Sequence, residues 1–165
     1  MAQEHSFDAV SKVNLQEFRN AMQQAQKELA TRFDFRGTSA SAEFDEAAKR
    51  VDLAADHHVQ LKSVLDVVET KLAKRGVPMK ALRWDAPEQL PSGGMKQRGT
   101  LQEGIPSEKA KDIVKTVKAL GLKVQPRIDG DAVRVSGKSL DDLQAVIQAL
   151  KNADFGLALQ FENYR

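Results

Sequence analysis

Residues 32–36 of the chain, RFDFR, place two arginines four positions apart around an aspartate. An arginine can donate two hydrogen bonds to the N7/O6 edge of guanine or to a phosphate, and a carboxylate can accept from the N1–H and N2–H groups of guanine. Arg32 and Arg36, with Asp34 between them, are therefore candidates for binding a guanine nucleotide. A helix-to-strand junction closed by an intramolecular Arg–Asp pair would explain the same residues without any ligand.

A second candidate lies in residues 132–139, AVRVSGKS, which approach the spacing of a phosphate-binding loop. Such a loop needs small residues whose N–H groups point at the phosphate. Residues 133–135 alternate like a strand instead, so a nucleotide-hydrolysing loop is rejected. Lys138 remains a candidate anion ligand, because it opens a helix whose free N–H groups favour negative charge. Asp141 and Asp142 already supply such charge, so a capped helix with a solvated lysine is the alternative.

The remaining residues offer no convincing catalytic or metal-binding set. The three histidines are His5, His57 and His58, and two adjacent histidines point to different sides of a helix. Asp56 is expected to cap the helix that begins there. The chain has no cysteine, which excludes disulfides, thiolate metal sites and a cysteine nucleophile. We therefore predict a binding protein rather than an enzyme, without a metal or another cofactor.

The composition is that of a folded protein without a membrane segment. The chain has 165 residues, of which 41% are hydrophobic and 29% are charged, and these proportions are typical of globular domains. No apolar run approaches the roughly 18–20 residues that span a bilayer. Residues 1–10 lack the basic start and apolar stretch of a signal peptide. We expect a cytoplasmic protein with no membrane partner.

Charge is distributed unevenly along the chain. Residues 96–138 contain ten basic and five acidic residues, a net charge of +5, although the net charge of the whole chain is only +2. A solvated helix face with lysines at strand edges would produce this pattern. A local anion-binding surface is the sharper interpretation.

The hydrophobic pattern predicts the order strand, helix, strand, strand, helix and strand in both halves of the chain. In the first half these elements are expected near residues 7–10, 14–32, 33–44, 50–53, 61–72 and 82–84. In the second half they are expected near residues 98–103, 106–120, 122–128, 133–135, 139–150 and 157–161. Phe33 and Phe35 alternate with charged residues and are expected in the core, with a base-stacking platform as the alternative. Asn14 and Ser139 are predicted helix N-caps, and residues 129–130 a hairpin turn.

This order of elements is typical of a ferredoxin-like domain, a four-stranded antiparallel sheet with two helices on one face. The fold class is therefore α+β, with residues 1–95 and 96–165 as two domains. Residues 86–94, rich in proline and glycine, form the predicted loop or linker. A core of about 75 residues is marginal alone, so the halves are expected to support each other by exchanging their first strands.

Several short motifs, in order and spread over nearly the whole chain, resemble the bacterial YajQ family. They are Ser6–Phe7–Asp8, RFDFR at 32–36, Lys74–Arg75–Gly76, Gly104–Ile105, LKVQ at 122–125, Arg134–Val135 with Gly137–Lys138, DDLQ at 141–144 and LQFENYR at 159–165. The resemblance implies two ferredoxin-like domains with swapped first strands. It also implies a cytosolic nucleotide-binding protein without established catalysis, with cyclic-di-GMP, mononucleotides and RNA as associated ligands.

The predicted function is a non-enzymatic nucleotide-binding protein, with cyclic-di-GMP or another purine nucleotide as the ligand and a protein effector as a further partner in signalling. The outward face of the second sheet is expected to carry Lys123, Gln125, Arg127, Arg134 and Gln160. We assign Arg134, Lys138 and Lys123 to phosphates, and Gln125, Arg32 and Arg36 to base edges or phosphates. RNA binding on the same basic face is the alternative, although aromatic residues are missing there. A purely structural or chaperone-like accessory is a third possibility, which predicts a large apolar patch.

Overall fold

The computed structural model describes residues 4–165 and divides them into two compact units. One unit combines residues 4–12 with Glu103–Arg165, and we call it the composite unit. The other is the continuous segment Val13–Gln102, which interrupts the composite unit in sequence, and we call it the inserted unit. Each unit has a hydrophobic core of its own.

Four helices and nine strands are formed within residues 4–165. In chain order they are β1 (His5–Val10), α1 (Leu15–Thr31), β2 (Ser41–Asp45), β3 (Arg50–Ala55), α2 (His58–Lys74), β4 (Leu82–Trp84), β5 (Glu88–Gln89), β6 (Met95–Leu101), α3 (Ser107–Ala119), β7 (Val124–Asp129), β8 (Ala132–Gly137), α4 (Leu140–Asn152) and β9 (Gln160–Glu162). A short 3-10 turn, Met79–Ala81, precedes β4.

The composite unit has an antiparallel sheet in the order β7-β8-β1-β9. Period-two alternation along β8 turns Val133 and Val135 toward the helices α3 and α4. Phe7 of β1 joins them and is fully buried. Because β1 is a central strand, the core of this unit cannot form from the second half of the chain alone.

The inserted unit has a sheet in the order β2-β3-β6-β4, with β5 paired to β6. Helices α1 and α2 pack on one face, and their apolar stripes at helical spacing supply Phe18, Leu61 and Val64 to the core. β6 of the second half lies between β3 and β4 and completes this sheet.

The prediction of two ferredoxin-like units with exchanged first strands is thereby confirmed. Strand β1 lies in the sheet of β7, β8 and β9, and β6 lies in the sheet of β2, β3 and β4. The linear division into residues 1–95 and 96–165 stays a prediction about the sequence repeat. The boundaries of the compact units lie elsewhere, because each half of the chain contributes its first strand to the sheet of the other half.

Three local predictions were wrong. Residues 33–37 form a turn instead of strand material, and the strand begins only at Ser41. Phe35 is buried there as expected, but Phe33 is 90% exposed. The cap of α2 is His57, whose Nδ1 accepts from the Gln60 N–H, while Asp56 binds Ser39 instead. The caps at Asn14 and Ser139 are confirmed. The hairpin between β7 and β8 is also confirmed, but its turn residues are Gly130 and Asp131, one position later than predicted.

Candidate functional site

The face of the composite sheet that lies opposite its helices carries polar residues. Register places Gln125 beside Ser136 and Arg127 beside Arg134, on the opposite side from Val133 and Val135. These residues point outward as the alternation of the sequence predicts. The β7–β8 hairpin is therefore the element that positions most of the candidate ligands.

A cavity of about 490 Å³ lies on this unit where the hairpin meets the start of α4. Its lining residues are Glu4, Lys123, Val124, Gln125, Ser136, Gly137, Lys138, Ser139 and Asp142. Lys123 precedes β7 and Lys138 follows β8, and the pairing of Val124 with Gly137 brings the two lysines to the same cavity. Both lysines are exposed, and neither has a hydrogen-bond or ion-pair partner within residues 4–165.

Gly137 has a structural reason to be glycine. A Cβ atom there would lie 3.1 Å from both the Lys123 carbonyl oxygen and Val124 Cγ1, so a side chain would push β7 away. Gly137 is paired with both His5 and Val124, and residues 133–135 are likewise part of the ladder. Their backbone groups are committed to the sheet, which supports the rejection of a phosphate-binding loop.

A smaller cavity of about 260 Å³ adjoins the first, because Glu4 and Ser136 line both. Its other lining residues are His5, Ser6, Arg127 and Arg134. The open face thus has two neighbouring concave regions, one rich in lysine and one rich in arginine. Glu4 contributes a carboxylate at their shared boundary.

Arg134 is not a free cation. Its Nε donates to Oδ1 of Asp8 at 2.8 Å and its Nη2 donates to Oδ2 at 3.2 Å. Asn163 Nδ2 donates to the same Oδ2 at 2.9 Å. These donors, led by Arg134, hold the pKa of the Asp8 carboxyl below its ordinary value although burial opposes this shift. Arg134 retains both N–H groups of Nη1 and one of Nη2. Because its Nη2 also lies 3.8 Å from Asp129 Oδ2, two carboxylates face this cation, which weakens it as a phosphate ligand.

The two remaining candidates, Arg32 and Arg36, belong to the inserted unit. Arg32 forms a bidentate ion pair with Asp34, at 2.8 and 2.9 Å, and also lies 3.3 Å from Glu28. Asp34 is the main cause of the raised pKa of Arg32. Arg36 is exposed and lines a separate cavity of about 330 Å³. The structure thus brings Lys123, Gln125 and Lys138 together and assigns the RFDFR arginines to another unit.

Sequence reasoning missed Asp8, Asn163 and Glu4. Asp8 and Arg134 are 126 positions apart, so no local spacing connects them. The alternation of β1 could have placed Asp8 on the open face, but its partner depends on the register of the exchanged strand. Asn163 reaches Asp8 from a left-handed backbone conformation with φ of 54°.

The inserted unit carries an equivalent ion pair. Asp52 of β3 and Arg98 of β6 are register partners, and Arg98 Nε donates to Asp52 Oδ1 at 2.9 Å. The two central strands of each sheet therefore share one Arg–Asp pair on the open face. Arg50 also lies 3.4 Å from Asp52, so Arg50 and Arg98 share one carboxylate on this second face.

Among residues 4–165 no group of three or more His, Asp or Glu side chains could hold a metal ion. Over the same residues, none of the helices has the length and apolarity that crossing a membrane requires.

Comparison with known proteins then decides the family. Residues 5–165 match the family described as "Nucleotide-binding protein YajQ-like". The chain belongs to this family. It is 50% identical over 165 residues to a "Nucleotide-binding protein" of Carboxydothermus hydrogenoformans, and 44% identical over 165 residues to one of Chloroherpeton thalassium. Each match covers the whole of both chains. The YajQ resemblance predicted from the motifs is confirmed.

Proposed function

We propose that this YajQ-family chain binds nucleotides without catalysing a reaction, and that the main site is the 490 Å³ cavity of the composite unit. The observation that carries the proposal is the convergence on one cavity of Lys123 and Lys138, two exposed ammonium groups without a partner among residues 4–165. Two unpaired cations in a concave site favour an anionic ligand such as a phosphate. The names of the relatives, which describe them as nucleotide-binding, support the same ligand class.

Cyclic-di-GMP is the ligand that this surface suits best. It has two phosphates and two guanine bases in a compact ring, and two adjoining cavities offer separate regions for its two halves. In the proposed pose Lys123 and Lys138 contact phosphate. Gln125 and the remaining Nη1 of Arg134 donate to base edges, and Glu4 accepts from guanine N1–H and N2–H. Within residues 4–165 no Phe, Tyr or Trp side chain lines either cavity, although the His5 imidazole lines the smaller one. Hydrogen bonds and charge would therefore supply most of the specificity.

Isothermal titration calorimetry on the full chain tests this proposal. Cyclic-di-GMP is compared with GTP and ATP, and we expect the cyclic dinucleotide to bind most tightly. Lys123→Ala and Lys138→Ala should each weaken binding by about 10- to 100-fold, the effect of removing one charge-assisted contact. Lys115→Ala is the matched control, because Lys115 is an exposed lysine of α3 outside the cavity. If no nucleotide gives a heat of binding that corresponds to a dissociation constant below about 100 μM, the proposal is rejected.

RNA binding is the second candidate, favoured by the net charge of +5 in residues 96–138. An RNA strand would contact many phosphates, so affinity should fall steeply with salt and depend on lysines outside the cavity as well. Filter binding of a short RNA at two salt concentrations separates the two functions. If Lys115→Ala weakens binding as much as Lys138→Ala, an extended RNA surface replaces the compact nucleotide site.

The signalling role follows from the same proposal. A binding protein without catalysis affects the cell only through another molecule, so the nucleotide-bound chain is proposed to act on a protein effector. Pull-down with the wild-type chain should recover that effector in a nucleotide-dependent manner. The same comparison is made with the Lys138→Ala variant. If this variant recovers as much effector as the wild type, both with and without nucleotide, the proposed signalling role is contradicted.

A further inference from the structure

The most exposed large apolar side chain described in the structure is Phe33, with 90% of its surface accessible. It lies in the turn at residues 33–37 of the inserted unit. Burying a phenylalanine side chain stabilises a protein by about 1.5–3 kcal/mol, and this ring forgoes that contribution. A single exposed ring is ordinary on a surface, so its surroundings decide whether it has a use.

The turn that presents Phe33 is held by several interactions. Arg32 binds both oxygens of Asp34 and stacks on the ring of Phe35, with its Cζ 4.8 Å from the ring centroid. Backbone N–H groups of Phe35 and Arg36 donate to the Arg32 carbonyl at 3.1 and 3.2 Å. Thr38 Oγ1 donates to the Phe35 carbonyl at 2.6 Å. Arg32 is therefore a positioning residue, and Phe33 projects from a defined loop.

A cavity of about 330 Å³ lies against the same turn. Its floor is apolar, since Leu29, Phe35 and Ala42 are buried. Its polar wall consists of Gln26, Arg36, Thr38, Ser41 and Glu43. Gln26 Nε2 donates to the Ala42 carbonyl at 2.7 Å, which leaves the Gln26 side-chain oxygen for another donor.

Arg36 is the cation of this cavity. It follows Phe33 by three residues in the same turn, is exposed, and has no ion-pair or hydrogen-bond partner through its side chain in residues 4–165. Arg32, four positions earlier, is fully engaged with carboxylates. The two arginines of RFDFR thus have different roles, although their spacing made them look equivalent.

We propose that this turn and its cavity form a second nucleotide site, confined to the inserted unit, in which Phe33 stacks on a base and Arg36 binds phosphate. The inference rests on nucleotide binding by the chain. An exposed aromatic face stacks on any base, and an unpaired guanidinium binds phosphate oxygens. Phe33 is not one of the residues that line the cavity, so the base stacks outside it. Gln26, Ser41 and Glu43 supply donors and acceptors for the part of the nucleotide that enters the cavity. Carboxylates surround this region, at Asp34 and Glu43 among others, which disfavours a long polyanion and favours a mononucleotide.

The probe is GTP, with ATP for comparison, titrated into the full chain carrying Phe33→Trp. The chain has one other tryptophan, Trp84. The fluorescence of the new indole is therefore obtained by subtracting the fluorescence of the wild-type chain from that of the variant. A stacked base should quench it in a saturable way, and Arg36→Ala in the same background should weaken that response. Met79→Trp is the matched control, because Met79 is 69% exposed in the same unit but lies outside the turn. Equal responses of the two tryptophan variants would overturn the inference.

Stoichiometry separates this inference from the main proposal. In calorimetry, Phe33→Ala should weaken the second event by about 5- to 100-fold, as loss of base stacking does, while Phe33→Tyr retains it. Two binding events, one sensitive to Lys138→Ala and one to Phe33→Ala, support both sites. One event that only Lys138→Ala removes refutes the second site and leaves the main proposal intact. One event that only Phe33→Ala removes supports the second site and rejects the main one.

Discussion

Asp8→Asn should destabilise the composite unit, because Asp8 is the buried acceptor that holds Arg134 and Asn163. The Asp8 carboxylate accepts three hydrogen bonds, and only 9% of its side chain is exposed. An asparagine has nearly the same shape but carries an NH2 group in place of one oxygen. Whichever way that amide is turned, it faces a donor of Arg134 or Asn163, and the negative charge is lost.

The expected cost follows from these contacts. Hydrogen bonds to a charged group contribute about 1.5–3 kcal/mol, and leaving a buried donor unsatisfied costs a similar amount. We expect a loss of about 2–3 kcal/mol at pH 7. With a urea m-value of about 2 kcal/mol per molar, the midpoint of the transition followed by circular dichroism should fall by about 1 M. An unchanged midpoint would refute the assigned role of Asp8.

Acid should reduce this difference between Asp8→Asn and the wild type. The native pKa of Asp8 lies below its ordinary value of 3.8, so its stabilising contribution is complete above that value and is lost as the pH falls through the native pKa. The wild type therefore loses this contribution in acid, whereas the asparagine variant has none to lose. Equal differences in midpoint at pH 7 and pH 3 would contradict the electrostatic explanation.

Asp52→Asn is the matched control for Asp8→Asn. Asp52 occupies the equivalent pair of the inserted unit, with the same Nε–Oδ1 contact at 2.9 Å, but 42% of its side chain is exposed. Exposed ion pairs contribute little because water screens them, so its urea midpoint should move much less. Equal shifts in both variants would show that burial does not set the energy of these pairs.

Two further predictions concern the inserted unit. Gly99→Ala should destabilise it by about 1–3 kcal/mol, because a Cβ atom at Gly99 would lie 2.7 Å from two ring carbons of Trp84. We expect a lower melting temperature and altered Trp84 fluorescence emission. Unchanged emission would refute the clash. Glu69→Gln should raise the urea midpoint at pH 7, since burial and, to a lesser degree, Asp66 raise the native pKa of Glu69 above 4.5. That raised pKa means that ionised Glu69 opposes folding at neutral pH. The higher urea midpoint of the variant should therefore disappear below about pH 4, where Glu69 of the wild type is protonated. A higher midpoint that persists there would show that the charge of Glu69 is not its cause.

The elements of this fold were predictable wherever local signals agree. Helical spacing of apolar residues, the caps at Asn14 and Ser139, and the β7–β8 hairpin turn each depend on neighbours in sequence. Lys123 and Gln125 were proposed from alternation along the hairpin, and Lys138 was proposed from its position at the start of a helix. Their function as ligands stays a prediction.

The parts that sequence reasoning missed depend on distant contacts or on competition between neighbours. Asp8 neutralises Arg134 only because an exchanged strand sets them side by side. Phe33 and Phe35 have the spacing of a strand, yet the ion pair of Arg32 with Asp34 stabilises a tight turn. That turn buries Phe35 and exposes Phe33. His57 replaced Asp56 as the cap because Asp56 is engaged by Ser39.

The interruption of the composite unit by the inserted unit has a consequence for synthesis on the ribosome. β1 is translated first, but its neighbours β8 and β9 are translated last. The nascent β1 strand therefore has no strand to pair with until the end of synthesis. The inserted unit is contiguous and is fully translated well before β8. Ser11 and Gly104, which flank it, are joined by a hydrogen bond between the Gly104 N–H and the Ser11 carbonyl. If the inserted unit folds first, it brings residues 11 and 104 close together. The loop that must be closed when β1 pairs with β8 is then effectively short, and the loss of chain entropy on pairing is smaller.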